Sequence, residues 1–268
     1  VFLAGALGLS LAVLRFVPSL QRLARSGGAL SDAAVQTVVL LLSVSLLTWL
    51  IGVRGLGLAP HDFGHTAIPE GLRRFGGGIL LGAALAGAAM LVAVPAGHAG
   101  WREDGGSSGS WLATVGLTSA VLLPAALAEE LMFRGVPMVL LSRSFGRGPA
   151  IVLLSGLFGL GHLLNPGITV LAVANIVLAG VFLGLAFFTP GGLWTSTGAH
   201  FGWNLALAGL AAPVSGLPFP MPWLDYAPGS PWWLTGGSFG PEGGLLATLC
   251  LAAGAAMVAR RAPREAVG

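Results

Sequence analysis

The sequence predicts an all-α membrane protein, a polytopic bundle of about eight transmembrane helices forming a single domain over residues 1–268. Three observations carry this prediction. With a mean hydropathy of +0.86, 55% hydrophobic residues and only 9% charged ones, the chain cannot assemble a water-facing surface of ordinary polarity. Apolar runs close to the roughly 20 residues of a helical span recur along its length, and shorter runs are tolerated where a bundle buries them. The thirteen basic residues, all arginine, lie mostly between those runs, where membrane topology accounts for them.

Eight runs are candidates: Val1 to Leu14, Ala34 to Val53, Gly76 to Gly97, Trp111 to Ala128, Pro149 to Leu164, Thr169 to Phe188, Gly192 to Ala212 and Gly243 to Ala259. Val1 opens inside an apolar run without the basic n-region of a signal peptide, which reads either as missing first residues or as an unusual start. No internal repeat is evident, and the loops are too short for a soluble domain. With eight spans, both termini share one face with Arg54, Arg73, Arg74, Arg143, Arg147, Arg260, Arg261 and Arg264, and Arg134 falls near the end of the fourth span. The opposite face carries Arg15, Arg22, Arg25 and Arg102. The positive-inside bias then places the termini of a multi-pass cell-membrane protein in the cytoplasm, although the cluster Arg15 to Arg25 runs against it. The Pro- and Gly-rich segment Pro213 to Glu242 carries Trp223, Tyr226, Trp232 and Trp233, aromatics that settle at headgroup level. It reads as an interfacial loop able to cover a cavity.

Two function classes are disfavoured at this level. A pI near 10.4 invites a nucleic-acid reading, but the net charge is only +3 and no basic stripe exists, so no nucleic-acid partner is expected. The lone cysteine, Cys250, has no partner in the chain for a disulfide.

Ionisable groups inside spans are costly and mark functional interiors. Here they form a compact set: Glu129, Glu130 and Arg134 in AEELMFRG, Phe158 and His162 in FGLGH, and His200 and Asn204 in HFGWN. Glu130 and Arg134 are four apart, so they share a helix face and can neutralise one another. Glu129 is rotated by about 100° and has no such local partner. His200 and Asn204 also share a face, with Gly198 and Gly202 as a small-xxx-small pair that lets a neighbouring helix approach, and Gly180 and Gly184 repeat the pattern in the preceding span. At about 1.5 Å of rise per residue, Glu129, His162, His200 and Asn204 fall roughly 14 to 21 Å from loops on a common face. Three helices thus bring polar groups to similar depth, with Pro124 and Pro137 as possible kinks in the fourth.

Such a set supports hydrolysis by an activated water. A desolvated carboxylate becomes a usable general base, a histidine can share or relay the proton, and an Asn amide with a second histidine can stabilise an oxyanion.

At these residues the chain resembles the CAAX-protease and bacteriocin-processing (Abi) family of intramembrane peptidases. Its signature of Glu-Glu-x-x-x-Arg, Phe-x-x-x-His and His-x-x-x-Asn is matched by Glu129-Glu130-x-x-x-Arg134, Phe158-x-x-x-His162 and His200-x-x-x-Asn204. The resemblance covers roughly Trp111 to Ala212 and implies a catalytic core there. It implies that Glu129 and His162 activate water, that His200 and Asn204 form the oxyanion site, and that Glu130 and Arg134 support them, with Phe158 read as packing. It also implies a peptide or protein substrate, C-terminal or membrane-associated, met in the lipid bilayer, and leaves a cofactor open between none and zinc.

Zinc is the nearest rival, since a glutamate and two histidines can ligate it, but the His-Glu-x-x-His pair is absent and metal-free catalysis is expected. A proton-coupled transporter is a rival from another class, weakened by the lack of an inverted repeat. A non-catalytic immunity protein on the same scaffold is a third. His61 and His65 in HDFGH have metal-like spacing but occupy a punctuated loop and read as solvated; His98, Glu103 and Asp104 read as a polar turn, and Asn175 as glue between helices.

Overall fold

The computed structural model describes residues 2–26, 28–64, 67–95 and 98–261. It is an all-α bundle: α1 (Phe2–Phe16), α2 (Pro18–Ser26), α3 (Gly28–Leu47, continued as a π-helix over Thr48–Gly55), α4 (Ile68–Leu91), α5 (Ser108–Arg134), α6 (Val136–Phe145), α7 (Arg147–Gly161), α8 (Val170–Phe187), α9 (Leu193–Gly209), α10 (Trp232–Thr235) and α11 (Leu245–Ala259). Each of the eight apolar runs contains a helix. Among the described residues, four stretches are long and apolar enough to cross a membrane: Gly28–Gly55, Pro60–Leu91, Ser108–Phe145 and Val170–Phe187. α1, α7 and α11 are shorter apolar helices. The chain is an integral membrane protein of helical type.

The structure adds elements that periodicity did not foresee. α2 follows Pro18, and α5 and α6 are separate helices because the backbone turns at Gly135 (ψ −128°). Pro137 sits in the first turn of α6, where its missing N–H costs nothing, and it therefore opens a helix rather than kinking one. Two loops expected to be irregular pair as an antiparallel ribbon, β1 (Ala99–Arg102) with β2 (Asp225–Pro228), in the register Trp101↔Tyr226 and Arg102↔Asp225. Trp101 then donates to the Leu210 carbonyl (2.8 Å) and Trp111 to that of Gly209 (2.8 Å), capping the C-terminus of α9 from two sides.

The most extensive helix contact joins α4 to α9. The sequence anticipated a close neighbour for Gly198 and Gly202, and that neighbour is α4, which contributes its own Gly78 and Gly82. A Cβ at Gly82 would lie 2.0 Å from the Ala199 carbonyl oxygen, and one at Gly202 2.3 Å from that of Ile79. The two backbones touch, which fixes the height and rotation of α9. Gly180 plays the same part between α8 and α7, where a Cβ would meet Ser155 at 2.8 Å.

Apolar packing falls into two large clusters. One, with Leu85, Phe182, Trp203, Leu207 and Leu251, fills the space between α4, α8, α9 and α11; the other, with Met132, Phe133, Leu154, Phe158 and Ile176, fills that between α5, α7 and α8. A cavity of about 460 Å³ lies on their border, walled by residues of both.

The α4–α9 contact yields a test. Gly82→Ala places a methyl against backbone that cannot swing aside, and overpacking of this kind costs about 1–3 kcal/mol. It should lower the thermal midpoint in detergent clearly, whereas Gly87→Ala, with nothing within 4 Å of its new Cβ, should leave it unchanged. Equal midpoints for the two variants would contradict the close packing.

Candidate active site

Glu129, Glu130 and Arg134 occupy the last turns of α5, whose start is capped by Ser107 accepting from the Ser110 N–H. The face assignment read from spacing holds. Arg134 Nη1 donates to Glu130 Oε1 at 3.0 Å, and both side chains are fully buried. The second terminal nitrogen of Arg134 donates to the Gly180 carbonyl on α8 (2.9 Å), and its guanidinium lies 4.9 Å over the Phe158 ring. A desolvated cation on an aromatic face is stabilised by about 2 kcal/mol.

His200, buried on α9, is held between the two glutamates. Its Nδ1 lies 3.0 Å from Glu130 Oε1 and its Nε2 3.7 Å from Glu129 Oε2. Ionised carboxylates only accept, so Nδ1 carries a proton and donates it to Glu130. Glu130 is thus more than a partner for Arg134: it orients the histidine of another helix. Glu129, on the adjacent face, is half-buried, and its Oε2 has no hydrogen bond among the described residues.

The apolar run predicts helix through Leu164, whereas α7 ends at Gly161 and His162 is the residue that caps it, in the turn leading to Asn165. Its Nδ1 donates to the Phe158 carbonyl (2.8 Å), since a carbonyl can only accept, leaving Nε2 as the nitrogen free to exchange a proton. Phe158 does more than pack. Its ring stands 4.7 Å from that of His162 and 6.0 Å from that of His200, edge-on to the latter, so one phenyl separates both imidazoles and the Arg134 guanidinium.

Glu129, Phe158, His162, His200 and Asn204 all line the 460 Å³ cavity. Three elements far apart in sequence therefore deliver the named residues to one space. Among the described residues no three His, Cys, Asp or Glu side chains converge as a metal ligand set. His61 stands in solvent beside Asp62, its side chain 81% exposed, and His65 lies outside the described residues.

A further carboxylate enters the cavity that the motifs did not reveal. Glu242, in the Gly-Pro-Glu-Gly-Gly stretch that closes the aromatic segment, is buried. Its Oε1 accepts from Trp203 Nε1 (3.0 Å), and its Oε2 accepts from the Ser215 N–H and from Ser215 Oγ (3.3 Å). Asn175, read as glue, donates to the Glu242 and Gly244 carbonyls (2.7 and 2.9 Å) and accepts from Thr248 Oγ1 (2.6 Å), tying α8 to α11. The only signal in the sequence was an acid standing alone among prolines, glycines and aromatics.

Burial pushes the Glu242 carboxyl above the ordinary carboxylate range, against the pull of its hydrogen-bond donors and of nearby His162. The folded protein then holds this proton more tightly than the unfolded chain does. Its contribution to stability is present at low pH and is lost as pH rises through the raised value. The thermal midpoint of the wild type should fall more steeply than that of Glu242→Gln as pH rises above the ordinary carboxylate range. Parallel slopes would mean that Glu242 titrates as an ordinary carboxylate.

No curated protein and no solved structure matches the chain significantly. Residues 110–206 do match the family model of the type II CAAX prenyl endopeptidases, Rce1-like, a peptidase family. That stretch begins in the first turn of α5, ends in α9 just beyond Asn204, and contains all three motifs. The match falls on the segment that carries the motifs and agrees with their resemblance to the CAAX-protease and bacteriocin-processing family.

Proposed function

We propose that the protein is an intramembrane endopeptidase of the CAAX-protease type in which Glu129, assisted by His162, activates a water for attack on a peptide bond. One observation carries this: Glu129, His162, His200 and Asn204 face a single cavity, and Glu129 presents there a buried oxygen that accepts no hydrogen bond from the protein. An acceptor so placed is suited to take a proton from water.

Charge balance sets the remaining roles. Arg134, Glu130, His200 and Glu129 form one buried cluster. It is neutral when His200 carries both protons, and a neutral cluster is the form least costly to bury. Nδ1 then donates to Glu130, leaving an Nε2–H beside the cavity. With the Asn204 amide, that N–H supplies two donors for the oxyanion of a tetrahedral intermediate. Proton transfer from water to Glu129, and onward to the leaving amine through Glu129 or His162 Nε2, completes the hydrolysis. No serine or cysteine nucleophile is required. The chain acts as one membrane domain with its catalytic core at about residues 111–212, the arginine bias setting its termini in the cytoplasm. The substrate is a peptide or protein reaching the cavity from the bilayer.

The assay is cleavage of an internally quenched peptide carrying a farnesylated cysteine four residues from its C-terminus, by protein purified in detergent. Glu129→Gln keeps the shape and removes the base. Turnover should fall by about 10²–10⁴-fold, the usual contribution of general base catalysis, at an unchanged thermal midpoint. Glu130→Gln instead strands Arg134 and His200, and breaking a buried pair costs about 3–5 kcal/mol, so yield and midpoint should collapse first. Full turnover in Glu129→Gln, or loss confined to a stable Glu130→Gln, would reverse the two assignments.

Metal dependence is tested separately. Asn204 is a poor zinc ligand, and His200 Nδ1 is engaged by Glu130, so activity should survive exhaustive chelation. Activity lost to the chelator and restored by stoichiometric zinc would replace this mechanism with a metalloprotease.

A further inference from the structure

Glu242 lies outside the three motifs and outside the matched segment 110–206, yet its side chain reaches the same cavity. Its hydrogen bonds form a continuous path. Trp203, whose indole N–H it accepts at 3.0 Å, is the residue before Asn204 on α9. On its other oxygen it accepts from Ser215, whose carbonyl accepts from Asn165 Nδ2 at 2.8 Å. Asn165 in turn donates its backbone N–H to the His162 carbonyl at 3.0 Å. The path therefore runs from the neighbour of Asn204 to His162, two residues carried by different helices.

The bridge is held at two further points, the backbone of Glu242 and that of Ser215. The Glu242 carbonyl is held by Asn175 on α8, and Ser215 sits in the left-handed region (φ 49°), unusual for a residue with a side chain. Such a conformation persists only where the surroundings over-determine it, and here the Glu242 carboxyl and the Asn165 amide grip its two backbone faces.

We propose that Glu242 is a positioning residue of the site, its carboxyl setting the placement of His162 relative to Asn204 across the cavity. This rests on the peptidase reading above for its catalytic consequence, but not for the coupling itself. The water activated by Glu129 with His162 must meet the carbonyl group whose oxygen the oxyanion donors bind, and misplacement by about 1 Å can cost on the order of 10²-fold in rate. Substrate binding draws on the remaining cavity wall and is largely spared.

The test uses the full-length protein, the farnesylated peptide above, and amide hydrogen exchange. In Glu242→Gln the new NH₂ cannot accept, so one of the two links must break. The expected result is a 10- to 100-fold fall in kcat with KM within about twofold of wild type, and a thermal midpoint lowered by only a few degrees. Exchange protection should fall at the amides of both Ser215 and Asn165. Trp203→Phe removes only the α9 link and should give a smaller loss of kcat, which keeps the proposal testable if Glu242→Gln fails to fold. Unchanged kcat per folded molecule in both variants would overturn the positioning role. Retained protection at Asn165 despite loss at Ser215 would overturn the coupling to His162. Failure of the wild type to cleave the peptide would strike the peptidase reading, and the exchange result would still decide whether the bridge exists.

Discussion

The buried ion pair between Glu130 and Arg134 is the constraint on which the rest of the site depends. Isolated, either charge would be intolerable inside an apolar bundle. Together they are tolerated because each finds further partners: the Gly180 carbonyl and the Phe158 ring for the guanidinium, and the His200 N–H for the carboxylate. These contacts come from α7, α8 and α9, so satisfying one pair of charges on α5 draws four helices to a point. The pair orients chemistry by the same act, since Glu130 decides which nitrogen of His200 faces Glu129.

That arrangement needs helices close enough to meet it, and the glycines provide this. Gly78 and Gly82 on α4 press against Gly198 and Gly202 on α9, holding His200 and Asn204 at fixed height, while Gly180 brings α8 close to α7 and exposes a carbonyl to Arg134. Small residues here do the work that large apolar side chains do in a soluble core, because lipid offers no driving force for burying leucine between helices. The polar groups supply specificity, and the glycines supply the distance at which it can be read.

How much of this was legible in the sequence depends on the range of the interaction. The pairing of Glu130 with Arg134, and the separation of Glu129 from both, follow from helical spacing alone. All eight apolar runs contain helices, as their composition suggests, and each of the three motifs contributes a residue to the cavity wall. What spacing could not show was partnership across helices. Nothing local says that α4 is the neighbour of Gly198, that Glu130 also grips His200, or that Phe158 lies against Arg134, His162 and His200 at once. The end of α7 at Gly161 is hidden because apolar composition continues to Leu164, while the backbone turns there through Asn165. Glu242 went unseen because every partner of its side chain lies 27 or more residues away, in a segment whose composition reads as an interfacial loop.

The account centres on a neutral four-group cluster in which Glu130 fixes the protonation of His200. The most direct measurement is the ¹⁵N spectrum of imidazole-labelled protein at neutral pH, with His200 assigned by its loss in a His200→Asn variant. The account predicts that both ring nitrogens of His200 are protonated, Nδ1 with the shift of a donor to a carboxylate. A bare Nδ1 on His200 would mean that Glu130 does not hold the ring, and the charge balance, the oxyanion role and the division of labour between the two glutamates would all be contradicted.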